Sequence, residues 1–450
     1  MEALAQVAGL DLYRAAFEKL EEERRDEPRW LRRLRAEALE RFLDLGFPTT
    51  RIEAWKYTNL RPIAETPWMI ARPASSSAAA ADLAAPARIP GATEIVFFNG
   101  HFAPELSSLG EPEEGVRVAS LREALTRRPE DLEPVFGKMS PIGQSPLTAL
   151  NTALFQDGVC VSIAPGASAS RPVHCLFIQQ HPEPFALTSP RLLVLAGRQS
   201  QAALVETYVG RGEAAGWTNS VTEISVGEAA VLEHYKIQQE SLSSYHVHSI
   251  SARQGRAAGF TSHNVAIGSA LARTDIDVLF DGEGGDCSLN GLFLGSGSQH
   301  LDSHTFIDHA RPHCTSRELY KGILDGHARG VFHGTIRVRQ GAQKTDAMQT
   351  NKNLLLSRRA LVDSTPALEI LADDVKCKHG STIGQLDANA LFYLRSRGLG
   401  EAEARALLIY AFAADVAERL RIGPVRERVE AFLGRVLAGE SPLSPEQENP

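Results

Sequence analysis

The chain has 450 residues, 43% hydrophobic and 23% charged, with a formal net charge of −8. That length suits two or three domains around a large core, and the acidic balance argues against nucleic acid or an anionic membrane as the main partner. Five cysteines, at 160, 175, 287, 314 and 377, form no Cys-x-x-Cys pair, which suits free thiols in a reducing compartment rather than a disulfide framework.

Residues 1–46 are expected to be helical. Met1 to Asp26 carries charge throughout and lacks the apolar core of a signal peptide. Leu34, Ala38, Leu39 and Phe42 recur at 3–4 spacing, the pattern of an amphipathic helix, which Gly46 and Pro48 end. Residues 51–60 (RIEAWKYTNL) are expected to form a packed turn that ties these helices to the body. Residues 67–93, rich in Ala, Pro and Ser, have too little large apolar surface to pack and predict a linker or loop.

From about Thr93 the pattern becomes short alternating runs broken by Gly, Pro, Asn and Asp. Residues 94–98, 159–163, 173–178, 231–237, 274–280, 304–308, 316–323 and 335–338 are examples, and each predicts a strand. Roughly 200 residues pass without a helical period, which argues against a doubly wound α/β fold and suits a sandwich, a barrel or a β-solenoid. Gly291 to Gly295, Gly322 to Gly326 and Gly330 to Gly334 share a Gly-x-x-x-Gly frame, and such short stacking units favour the solenoid. Helical periods then return. Asp387 is placed to cap a helix running through Leu391, Phe392 and Leu394 to Gly398. Glu401 to Leu420 predicts a second helix, and Pro424 opens a third that Gly439 ends. No apolar run approaches the ~20 residues of a membrane helix. The expected organisation is a helical domain and linker at 1–92, a β core at 93–386, a helical domain at 387–440 and a disordered polar tail at 441–450, in a cytoplasmic protein.

Residues 302–380 hold six His and two Cys. Zn²⁺ or Fe²⁺ would accept such donors, but His304 and His309 differ by an odd number and face opposite sides of a strand. Cys377 and His379 are sharper, because residues two apart on an extended segment share a face. Lys376, Lys378 and the imidazole are expected to lower the thiol pKa. No Gly-x-Ser-x-Gly elbow and no phosphate-binding Gly-x-x-x-x-Gly-Lys-Ser/Thr occurs, so any ATP must be bound by another chain.

The run from Asp302 through His309, Pro312, Ser316 and Lys321-Gly322 resembles the SufB/SufD family of iron–sulfur cluster assembly proteins. So do Gly330 to Gly334, residues 343–347 (QKTDA), 351–354 (NKNL) and 366–370 (PALEI). Residues 373–380 (DDVKCKHG), 391–398 (LFYLRSRG) and 53–58 (EAWKYT) resemble its SufD branch. No cysteine stands at Leu361 to Thr365, where a SufB-like chain would carry its scaffold thiol. The resemblance implies a mainly β fold: a right-handed parallel β-helix with helical N- and C-terminal domains. It implies a non-catalytic subunit that pairs with a SufB-like paralogue through the β-helix, or with itself when that paralogue is absent. It also implies an ATPase partner, SufC-like, on Asp387, Leu391, Phe392, Tyr393, Leu394, Arg395, Arg397 and Gly398, with ATP on that partner. Cys377 and His379 would be the donors to a transient iron–sulfur cluster or iron, His379 the better metal ligand, with no cofactor resident in the chain alone.

Overall fold

Alternation along the chain builds two long sheets that face each other across one bore. In the computed structural model, residues 2–72, 78–180 and 185–437 are described. Successive long strands enter the two sheets in turn. The first sheet runs from Gly158–Ile163 through Arg191–Ala196, Gly216–Val226, Tyr245–Gln254, Leu271–Phe280, His300–His309 and Arg329–Val338 to Leu361–Ile370. The second runs from Thr93–Phe98 through Val173–Gln179, Gln201–Gly210, Val231–Gln239, Gly259–Ala266, Asp286–Gly295, Thr315–Leu324 and Asp346–Leu355 to Lys376–Gly384. All these neighbours pair parallel, so the chain is a parallel β-solenoid of about seven turns. Inward residues stack in columns, such as Ile276, Thr305, Gly334 and Pro366, each in register with the next. The apolar columns, including Ile250, Val278, Phe280, Ile307, Ile336 and Val338, form the central core.

The glycine frames of the sequence are seats for rings. Gly291 is in register with Tyr320 and Gly322 with Phe293. A Cβ at Gly291 would lie 2.1 Å from the Tyr320 ring, and one at Gly322 would lie 2.2 Å from the Phe293 ring. The aromatic of one turn therefore occupies the space that the glycine of its neighbour leaves.

One corner of each turn is left-handed. Gly166, Gln199, Ala229, Ala257, Gly284, His313 and Lys344 all have positive φ. Each donates its backbone N–H to a carbonyl of the following turn: Arg198, Glu228, Arg256, Glu283, Pro312, Gln343 and Asp374, at 2.7–3.1 Å. The corners are solvent-exposed, and the ladder ties each of them to the turn that follows. It also gives His313 a backbone role in place of a ligand role.

Helices cover both outer faces. Phe17, Leu39, Phe42 and Phe47 from the N-terminal segment pack with the helix Pro146–Leu154 against Trp217, Val247 and Leu271 of the first sheet. The helices Glu401–Ala417 and Gly423–Leu437 cover the second sheet, with Ile409, Ala413, Val416, Val429 and Leu433 against Tyr235, Val265, Leu292 and Leu319. These two helices bury an extensive apolar face, more than their short lengths suggest. The expected linker at 67–93 differs too. Ala78–Ala84 is a helix, and Ala80, Leu83 and Ala84 pack on Val96, Leu176 and Val209. Alanine is small but the best helix former, and its size lets the helix approach the sheet closely. Residues 73–77 of that stretch, Gly439 and the tail 441–450 lie outside the described residues. No described helix is long and apolar enough to cross a membrane.

Candidate functional site

The histidines of 300–313 do not converge. His309 points into the bore, stacks on Phe280 at 4.5 Å and shares a 2.9 Å hydrogen bond with Ser316. His304 is on the outer face, 3.1 Å from Asp302 and stacked on His333 at 4.9 Å. His300 lies 2.8 Å from the Thr58 hydroxyl, and Cys314 is buried against the Gly282 and Pro312 carbonyls. Among the described residues no group of three or more His, Cys, Asp or Glu is placed to hold a metal. The 53–58 segment is the expected tie. The Arg273 guanidinium covers the Trp55 ring at 3.6 Å and donates to the Ala54 carbonyl at 2.7 Å. Thr58 donates to Asp302, which Arg273 also reaches at 2.9 Å.

Cys377 and His379 do share a face. They occupy the last strand of the second sheet, in register with Ala347 and Gln349. Both neighbours are buried in the bore, so Cys377 and His379 line its open end. Cys377 is half-buried and packs against the end of the central core, as Leu368 and Val375 also do; His379 is exposed. The electrostatic expectation is corrected here. Burial pushes the Cys377 thiol above its ordinary value, and Asp346 adds to the rise against a hydrogen bond from the Ala347 backbone. Lys376 and Lys378 alternate onto the opposite face of the strand and do not offset the burial.

The open end is an unprotected edge. Leu361–Ile370 and Lys376–Gly384 are the terminal strands of their sheets, each paired on one side only. Their free sides present rows of backbone N–H and C=O. Ile370, Leu371 and Ile383 there are 39%, 65% and 51% exposed. Just inside, Ser364 links Asn351 and Ser381 at 2.8 and 2.7 Å, which closes the last turn across the bore.

The sequence patterns did not reveal how polar the bore becomes. Glu206 accepts from Thr222 at 2.9 Å and meets His234 at 2.9 Å. Lys236, in register with Glu206, donates to Thr274 at 2.6 Å, and burial lowers its ammonium to about 7. Further along, Glu318 is pushed up to about 7 by burial and accepts from Gln349 at 2.7 Å. Alternation alone assigns these residues inward; the signal was their polar character at inward positions of consecutive turns.

Beyond the open end, Asp387 caps the helix Ala388–Ser396 by accepting the Asn389 N–H at 2.9 Å. That helix buries none of its residues. Phe392 and Tyr393 are 74% and 56% exposed, Leu391 and Leu394 are half-buried, and Gly398 turns the chain at positive φ. Arg397 lies over the Tyr393 ring at 5.1 Å, and Arg395 pairs with Glu401 at 3.3 Å. The helix that follows is pinned to the solenoid by Lys321, which donates to the Phe412 carbonyl at 2.7 Å and meets Asp415 at 3.0 Å. Lys321 and Gly322 therefore hold a helix and a ring, respectively.

Residues 177–412 match the SUF system FeS cluster assembly SufBD core domain, and residues 6–175 match the SufBD protein N-terminal region. The chain is 32% identical over 395 residues to an iron–sulfur cluster assembly SufBD family protein of Synechocystis, covering 86% of each chain. It is 31% identical to iron–sulfur cluster assembly protein SufD of Escherichia coli, over 89% of this chain and 92% of that one. It is 27% identical to SufD of Bacillus subtilis, over 92% and 95%.

Proposed function

Because this chain belongs to the SufBD family of iron–sulfur cluster assembly proteins and is SufD-like, we propose that it is a non-catalytic half-scaffold completed by a SufB-like solenoid. The observation that carries this reading is the open end of the bore, where two donors and two unpaired sheet edges occur together. Iron–sulfur clusters are typically held by four protein ligands, and Cys377 and His379 are two. A partner solenoid that adds strands to both edges would cover Ile370, Leu371 and Ile383 and bring the remaining donors. The cluster is cargo that passes through this joint. His379, exposed, is the better donor to iron. Cys377, with its raised thiol, becomes a ligand when a metal displaces its proton.

A SufC-like ATPase docks on Ala388–Ser396, whose exposed Phe392 and Tyr393 supply an apolar anchor flanked by Arg395 and Arg397. ATP is bound and hydrolysed there. Movement of that partner is passed to Glu401–Ala417 and, through Lys321, to the strand Thr315–Leu324 near the open end. Without the SufB-like chain, two copies pair through the same edges.

The test is anaerobic reconstitution with the SufB-like and SufC-like chains, followed by iron and sulfide analysis. His379→Ala should lower retained cluster at least tenfold while leaving the complex intact. Undiminished cluster in that variant removes the ligand role. Failure of the wild-type chain to co-purify with either partner removes the scaffold reading.

A further inference from the structure

Gln349 lies between Glu318 on one side and His379 on the other, in a single inward column of three successive strands. Its amide Nε2 donates to Glu318 Oε2 at 2.7 Å. Its Oε1 is buried and has no partner among the described residues. A Cβ on Gly334 would lie 2.2 Å from Gln349 Nε2, so the glycine opposite provides the space for this amide. Above neutral pH the Glu318 carboxyl is ionised, and an ionised carboxylate only accepts. Glu318 therefore fixes which end of the amide faces it, and leaves Gln349 an unused acceptor.

The strand beyond Gln349 is about 4.8 Å away and carries His379 in register. Side chains of these two turns do reach each other inside the bore: in the adjacent column Ser381 lies 3.4 Å from Asn351. An imidazole has one N–H to donate in its neutral form, and the group accepting it sets which nitrogen keeps the lone pair.

We propose that Gln349 is a positioning residue for His379: its Oε1 accepts one imidazole N–H, selects the tautomer and leaves the other nitrogen free for iron. The proposal rests on the donor role of His379 given above. Glu318 acts one step behind, by orienting the amide. The arrangement matches the general need of a metal-binding histidine for a fixed acceptor on its other nitrogen.

The experiment uses the full chain labelled with ¹⁵N-histidine, metal-free and above neutral pH. Long-range ¹H–¹⁵N correlation reads the His379 tautomer, with the signal assigned by its loss in His379→Ala. The wild-type ring should occupy one tautomer, and Gln349→Leu should return it to the mixture of a free imidazole. Should that variant fail to fold, Glu318→Gln combined with Gln349→Met strands no charge in the bore and should give the same mixture. A free-imidazole mixture in the wild-type chain, or a spectrum that Gln349→Leu leaves unchanged, overturns the proposal. In the reconstituted complex, Gln349→Leu should lower retained iron about tenfold. If His379→Ala lowers iron and Gln349→Leu does not, the positioning role is wrong. If His379→Ala itself leaves iron unchanged, the donor reading fails instead.

Discussion

Replacing Glu318 by Gln isolates the cost of holding a carboxylate inside the solenoid. The side chain is buried in the bore, and burial raises its pKa from 4.5 to about 7 against a hydrogen bond from Gln349. The unfolded chain titrates near 4.5, so between the two values the folded chain binds a proton that the unfolded chain has released. Folding is therefore favoured by acid: the contribution is complete below 4.5 and is lost as pH rises through about 7. A shift from 4.5 to about 7 corresponds to roughly 3.4 kcal/mol in all, of which about 2.5 kcal/mol disappears between pH 5 and pH 8. Gln keeps an acceptor for Gln349 and has no proton to lose. Urea unfolding at both pH values measures it, because every other titrating group is common to the two proteins and cancels. Relative to Glu318→Gln, the wild-type chain should lose about 2–3 kcal/mol on going from pH 5 to pH 8. Stability profiles that run parallel for the two proteins would refute the burial of Glu318 as the cause of its raised pKa.

Three further outcomes follow from geometry. Gly322→Ala should destabilise by about 3 kcal/mol or more in urea, since the new methyl would meet the Phe293 ring at 2.2 Å and neither is free to move. Lys344→Gly should raise the unfolding midpoint, worth up to about 1 kcal/mol, because a left-handed corner strains any residue with a Cβ; a loss of stability would show that the Lys344–Asp374 ion pair outweighs that strain. Phe392→Ala, at a 74% exposed position, should leave stability within about 0.5 kcal/mol yet abolish capture of the proposed SufC-like partner in a pulldown.

The solenoid was legible because its evidence is repeated: period-two runs and glycine frames recur turn after turn, and each supports the others. Cys377 and His379 were legible because spacing on a strand decides the face they share. The thiol pKa was not, because it depends on how deeply Cys377 is buried against the core, which only the fold decides. The corners were hidden for a different reason. Gln199, Ala229, Ala257, His313 and Lys344 are not residues that announce positive φ, and they adopt it because the next turn offers a carbonyl. The helix Ala78–Ala84 was missed because small side chains suggest a linker until a sheet is known to lie close beneath them. The role of Lys321 needed the helix 91 residues further on.

The corner ladder has a thermodynamic consequence for the end of the stack. When each turn bonds only to the turns beside it, stability is close to a sum of nearest-neighbour terms. An inner turn has two such neighbours, whereas the last, residues 361–384, has one. Opening of this chain should therefore begin as fraying at that terminus, well below the free energy of global unfolding. Cys377 and His379 lie on the unit that frays first. A second solenoid seated against it, as proposed above, would act as a cap, and its arrival and the ordering of Cys377 and His379 would be a single coupled equilibrium.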